Sequence, residues 1–283
     1  MPAANVHAST STTSKLKASD GVEIVLHTWL PSGDARGVVQ IVHGMAEHAA
    51  RYDHVARALT AAGYAVYADD HRGHGLTAGD DDVGHFADED GWNKVLSDLA
   101  MVNRHAREQH PGLPVGVLGH SMGSFFLQHW LFTSPELVDA AALSATNGPI
   151  GALGALGAMV ASIEALRIGK RGKSKLLDAM SFGAYNNKFK PVRTKFDWLS
   201  RDPVVVDKYV ADNRCGHLCS AQFWSDLFYG LSMIGDLKNI AKIPKHIPLY
   251  VFAGSFDPVS NNTKNLGKLV DAYRTPLERY HAI

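Results

Sequence analysis

Cysteine is all but missing from this chain: of 283 residues only Cys215 and Cys219 carry a thiol. Two thiols cannot build a disulfide framework, and they fit a reducing compartment. Even with His217 between them they fall short of the ligand set a structural zinc site needs, so no metal is expected; the 15 histidines of the chain are mostly scattered. An excess of either charge is missing as well, since Lys plus Arg and Asp plus Glu both number 28. A balanced surface carries no electrostatic footprint for nucleic acid. Long apolar runs are the third absence. Met1 to Lys15 is rich in Ala, Ser and Thr and has no signal-peptide core, and residues 1–18 read as a disordered tail. The least polar stretch, Pro149 to Leu166, is broken by Gly151, Gly154 and Gly157 and carries Glu164, which makes it too short and too interrupted for a membrane span. A soluble cytoplasmic protein is the expectation. No internal repeat and no low-complexity core are present.

What is there is ample apolar material, 46% of residues against 20% charged, enough for one large domain or a domain with an insertion. Short β-branched runs read as strands: Val22 to Trp29, Val38 to Val42, Tyr64 to Ala68, Val115 to Leu118, Ala140 to Ser144 and Leu249 to Ala253. Helical stretches fall between them, Tyr52 to Ala62 ending at Gly63, and Trp92 to Gln109 ending before Pro111-Gly112. This alternation predicts an α/β fold with a doubly wound, mostly parallel sheet, its functional loops at the carboxyl ends of the strands. The alternation lapses between residues 147 and 245. That span has apolar helical stretches, aromatics at Phe182, Tyr185, Phe189, Phe196 and Trp198, and a basic cluster of Arg167, Lys170, Arg171, Lys173 and Lys175 that reads as a solvated loop. The predicted organisation is a core of residues 19–146 and 246–283 with a helical cap inserted at 147–245. A last helix, Asn262 to Tyr273, follows the final strand.

Gly119-His120-Ser121-Met122-Gly123 sits where a strand turns sharply into a helix. That is the context in which a G-x-S-x-G sequence raises a nucleophilic serine on a strained turn, the flanking glycines removing Cβ atoms that would collide. A serine nucleophile needs a base, and the base an orienting acid. Asp257, just beyond the resumed strand in Gly254-Ser255-Phe256-Asp257-Pro258, stands where the acid belongs. The oxyanion needs two backbone donors: the residue after the serine, Met122, and one from a loop after an early strand, for which Met45 in His43-Gly44-Met45 is the candidate.

Four motifs, His43-Gly44-Met45-Ala46-Glu47-His48, Asp70-His71-Arg72-Gly73-His74-Gly75, the serine elbow and the Asp257 turn, occur in an order that resembles the monoacylglycerol lipase and lysophospholipase branch of the α/β-hydrolases, which serine aminopeptidase-like proteins share. The resemblance covers residues 20 to 275. It implies a serine carboxylic-ester hydrolase with Ser121 as nucleophile, Asp257 as acid and the amides of Met45 and Met122 as oxyanion donors. It also implies structural roles for His120, His71 and His74, and no metal or organic cofactor. The substrate would be a small lipid or ester, a monoacylglycerol or lysophospholipid. Two readings stay open for the apolar part of the cap, an acyl-chain site able to touch a membrane surface transiently or simple packing against the body. An inactive binding protein on the same fold and a peptidase or small-ester hydrolase are the competing functions.

The family's catalytic histidine follows a final core strand. Here only His281 follows Asp257, 281 − 257 = 24 residues on. Pro276 is expected to end the last helix and Leu277 to Ile283 to form at most one short strand, so His281 is either the base or a tail residue in a chain without one. Weak or absent hydrolysis is the expectation for this chain, despite its elbow and acid.

Overall fold

The computed structural model describes residues 11–279. Seven strands form one sheet: β1 (Ser11–Lys17), β2 (Glu23–Trp29), β3 (Gly37–Val42), β4 (Tyr64–Asp69), β5 (Val115–His120), β6 (Ala140–Ser144) and β7 (Leu249–Phe252), in the order β1-β2-β4-β3-β5-β6-β7. β1 and β2 pair antiparallel, as do β2 and β4, whereas β4, β3, β5, β6 and β7 run parallel. The parallel centre explains the near-continuous apolar runs, since both of its faces are covered. Ile24, Leu26, Ile41, Val66 and Leu143 are fully buried.

Helices α1 (Asp53–Ala61), α2 (Gly91–Gln109) and α3 (Met122–Thr133) connect these strands. In α3 every residue from Met122 to Phe132 is buried, so its sequence carries no amphipathic stripe. Between β6 and β7 the chain forms α4 (Ala152–Ile168), α5 (Lys175–Phe182), α6 (Pro203–Ala211), α7 (Ala221–Gly235) and α8 (Leu237–Ile240), with no strand. Helix α7 joins this helical span to the body: Phe223, Trp224, Leu227 and Leu231 share one apolar cluster with Trp92 of α2 and Phe126 of α3. Gly230 packs directly on the Trp92 ring, which a Cβ there would meet at 2.3 Å. The basic cluster does not face solvent alone. Arg171 takes Asp88 and Asp82 in exposed ion pairs at 2.8 Å, Lys170 donates to the Asp88 carbonyl, and Lys173 to the Val83 carbonyl.

Two expectations are corrected. Residues 11–17 are not tail: β1 pairs along its whole length with β2, from Ser11 opposite Trp29 to Lys17 opposite Glu23. Its sequence, Ser-Thr-Thr-Ser-Lys-Leu-Lys, is almost wholly exposed, so an edge position and backbone pairing make it a strand rather than burial. At the other end the final helix, α9 (Lys264–Arg279), runs past Pro276, so no strand begins at Leu277. A proline costs a helix one hydrogen bond and a local kink, and here that does not stop it.

Candidate active site

β5 delivers Ser121 at its carboxyl end, and α3 starts at the next residue. Ser121 holds φ 50° and ψ −121°, a conformation that costs a non-glycine residue about 1–3 kcal/mol and persists only where the surroundings enforce it. The enforcement is visible. The Ser121 amide donates to the Ser144 carbonyl at 2.9 Å, and its carbonyl accepts from the Ser124 amide at 2.9 Å. A Cβ on Gly119 would lie 2.6 Å from the Gly123 carbonyl oxygen, and one on Gly123 would lie 2.1 Å from that of Val42. The elbow is therefore wedged against the end of β3, and Gly123→Ala forces backbone against backbone. It is expected to cost at least about 2–3 kcal/mol in urea unfolding, while Gly33→Ala, with nothing within 4 Å of the new methyl, stays within about 0.5 kcal/mol.

The loop after β3 comes alongside. Gly44 lies so near Ser121 that a Cβ there would sit 3.3 Å from the serine Cβ. Glu47 orders this loop by accepting from the Gly44 amide and the Tyr52 hydroxyl, both at 2.7 Å, and from the Arg51 guanidinium. Met45 lines the space in front of Ser121. Met122, the first residue of α3, presents an amide for which the helix has no acceptor. A buried histidine layer supports the loop from behind. His43 Nδ1 donates to the Gly44 carbonyl at 2.8 Å and its Nε2 accepts from the His71 amide at 3.0 Å, which fixes the neutral tautomer. Burial holds the His43 pKa well below the ordinary imidazole value. His71 stacks on His43 at 3.7 Å and pairs with Asp69 at 2.7 Å; burial pulls its pKa down, but the charge and hydrogen bond of Asp69, the His43 carbonyl and the Asp70 charge together raise it.

Ser121, Met45 and Asp257 line one cavity of about 590 Å³. His120 lines it too, its Nδ1 on the Ser144 hydroxyl at 3.0 Å. One carboxylate oxygen of Asp257, Oδ1, accepts from the Val259 amide at 2.8 Å, whereas Oδ2 is buried with no hydrogen-bond partner among the described residues. Burial raises the Asp257 pKa above the usual carboxylate value. Burial, and then the Asp257 charge, push the Tyr185 hydroxyl up to about 12. The helical span between β6 and β7 roofs the cavity with Phe182, Phe196, Trp198 and Leu199. His281 lies outside the described residues.

Several lining residues were not singled out from the sequence as part of a site. His217 faces the cavity with both ring nitrogens buried and without partners among the described residues, and burial lowers its pKa to about 4. Tyr209 donates its hydroxyl to the Ala46 carbonyl at 2.8 Å, and the Gly216 amide donates to the same oxygen at 2.9 Å. Glu47 and Arg51 stand inside or beside a quoted motif, and that adjacency was the one available hint.

The chain matches the family described as Serine aminopeptidase, S33 over residues 33–282. It is 36% identical to the monoacylglycerol lipase of Mycolicibacterium smegmatis over 197 residues, which are 70% of this chain and 62% of that one. It is 33% identical to the human monoglyceride lipase over 112 residues, 37% of this chain and 33% of that one. The matched stretches thus span less than two thirds of either relative. Among solved structures, a thermostable carboxyl esterase from Bacillus coagulans, in complex with glycerol, superposes with a TM-score of 0.84 at 26% identity, covering 94% of this chain and 87% of that one. By its parallel sheet, its serine elbow and this family match, the chain belongs to the serine aminopeptidase S33 family of the α/β-hydrolases.

Proposed function

We propose that the chain hydrolyses carboxylic esters through an acyl-serine intermediate, with monoacylglycerols as its substrate class. The observation that carries this reading is the strained Ser121 turn opening into a cavity roofed by aromatic and aliphatic side chains. The names of the Mycolicibacterium and human relatives, monoacylglycerol and monoglyceride lipase, support the substrate class.

In this mechanism Ser121 Oγ attacks the ester carbonyl while an imidazole takes its proton. The tetrahedral oxyanion accepts hydrogen bonds from the Met45 and Met122 amides, the alcohol leaves with the proton, and water repeats the sequence on the acyl-enzyme. Asp257 orients the imidazole, its unpartnered Oδ2 being the acceptor for a ring N–H. His281 is the residue proposed as base. The 590 Å³ cavity lies within the usual size of a small-ligand pocket.

Helix α4 adds a proposed route for the substrate. Leu153, Leu156, Met159, Ile163 and Leu166 are all exposed, from 47% for Leu156 to 89% for Leu166, and their spacing of three or four residues puts them along one side of the helix. A stripe of this kind suits the headgroup boundary of a bilayer. No described helix is long and apolar enough to cross one.

A fluorophosphonate probe followed by a substrate panel tests the reading. The expected outcome is stoichiometric labelling of Ser121 and faster turnover of monoacylglycerols than of lysophospholipids or aminoacyl peptides. Neither labelling nor turnover of any ester identifies a binding protein, and preference for the peptides identifies a peptidase. With substrate presented in vesicles, Leu166→Glu is expected to weaken vesicle flotation while leaving hydrolysis of a soluble short-chain ester unchanged; equal flotation removes the membrane contact.

A further inference from the structure

Away from the reacting serine, the seam between the cap and the oxyanion loop gathers three side chains that are distant in sequence. His48 follows that loop, and Asp212 and Cys215 lie in the segment between α6 and α7. One nitrogen of His48, one carboxylate oxygen of Asp212 and the Cys215 sulfur all lie within 4.8 Å of one another. His48 Nε2 faces Asp212 Oδ2 at 2.7 Å, and the His48 side chain is only 3% exposed. The other ring nitrogen, Nδ1, is buried without a partner among the described residues. Cys215 is a free thiol.

We propose that His48, Asp212 and Cys215 form a binding site for one zinc-class divalent cation, with water in the fourth position. The donor set selects the ion. Thiolate and imidazole favour zinc over magnesium or calcium, which take all-oxygen shells. Ligand atoms on a tetrahedral zinc stand roughly 3.3–3.8 Å apart, given bonds of about 2.0–2.3 Å. The His48–Asp212 pair must therefore open slightly and the other separations, at most 4.8 Å, close by no more than about 1.5 Å. His48 now holds its ring proton between Nε2 and Asp212; on binding, that proton resides on Nδ1, which has no other partner, and the Nε2 lone pair goes to the metal. The Cys215 S–H bond breaks, the sulfur electron pair forms the metal bond and the proton passes to solvent.

Two arginines stand beside the site. Arg51 is held by Glu47, so the two cancel beside the site. Arg214 contacts both Asp212 oxygens, at 3.3 and 3.4 Å, and must swing away; its side chain is 38% exposed, so solvent can receive it. The site's position gives it a consequence. Tyr209 and Gly216, which flank the two cap ligands, already hold the Ala46 carbonyl next to Met45. A cation joining His48 to Asp212 and Cys215 would close the same seam covalently and restrain the loop that carries the proposed oxyanion donor.

The test is metal binding on the intact chain, independent of hydrolysis. Equilibrium dialysis with zinc, and cobalt(II) as a spectroscopic substitute, are expected to give one site per chain with a thiolate-to-cobalt charge-transfer absorption. Cys215→Ser should abolish that absorption, and both it and Asp212→Asn should weaken zinc at least about tenfold. Cys219→Ser, at the other thiol, should change neither. Zinc should also raise the thermal midpoint of the wild-type chain and not that of Cys215→Ser. Loss of the absorption in Cys219→Ser, its retention in Cys215→Ser, or no zinc retained by the wild-type chain would overturn the proposal. A folded Cys215→Ser protein, verified by circular dichroism, keeps the comparison valid even if a His48 variant fails to fold.

Discussion

Ser121→Ala is expected to abolish fluorophosphonate labelling and to lower ester turnover by a factor on the order of 10⁶ if the triad is complete. The fold should survive. Alanine keeps the Cβ and inherits the same φ of 50°, and the amide and carbonyl contacts that hold the turn belong to the backbone. Circular dichroism and the urea midpoint should therefore match wild type. Turnover retained at more than a small fraction of wild type would remove Ser121 as nucleophile. The size of the loss also reads the base. An elbow that lacks a working imidazole keeps only oxyanion stabilisation and binding, about 10³–10⁴ over water, and then the serine variant has little left to lose. His281→Ala separates the cases: a fall as deep as that of Ser121→Ala makes His281 the base, and an unchanged rate excludes it.

How much of this was legible beforehand depended on how local each feature is. The strand Val38 to Val42 was readable because both faces of a parallel sheet demand apolar side chains, leaving an unbroken run. The elbow was readable because its cause lies within five residues: Gly119 and Gly123 are wedged against neighbours that a Cβ would strike. β1 was not, since its polar sequence becomes a strand only by pairing with β2. The cap's helices could be anticipated as a class but not its contacts. Nothing in Tyr209 or Gly216 indicates that both would hold the Ala46 carbonyl. The two cysteines invited attention to His217 between them, yet the fold brings Cys215 to His48 and Asp212, which lie 164 positions apart. Sequence spacing cannot show a cluster assembled across a cap–core seam.

Asp257→Asn is expected to lower turnover by a factor on the order of 10⁴ while raising stability at neutral pH, two effects of opposite sign from one substitution. The catalytic loss follows from the unpartnered Oδ2. In the proposed mechanism a carboxylate oxygen there would accept a ring N–H and stabilise the imidazolium that forms; an amide presents neither the charge nor a reliable acceptor. The stability gain follows from burial, which raises the carboxyl pKa in the folded chain above its unfolded value. A group shifted upward contributes stability that is fully present below the unfolded pKa and is lost as pH rises through the folded one. At neutral pH the native chain therefore bears the cost of an ionised, half-buried carboxylate, and asparagine removes it. The thermal midpoints of the two proteins should lie closest at acid pH and separate towards neutrality, with the variant above. Midpoints that separate in the opposite direction would mean that Asp257 is stabilised as an anion. An Asp257→Asn protein with wild-type turnover would move the acid elsewhere in the cavity, since Asp257 would then have no imidazole to orient.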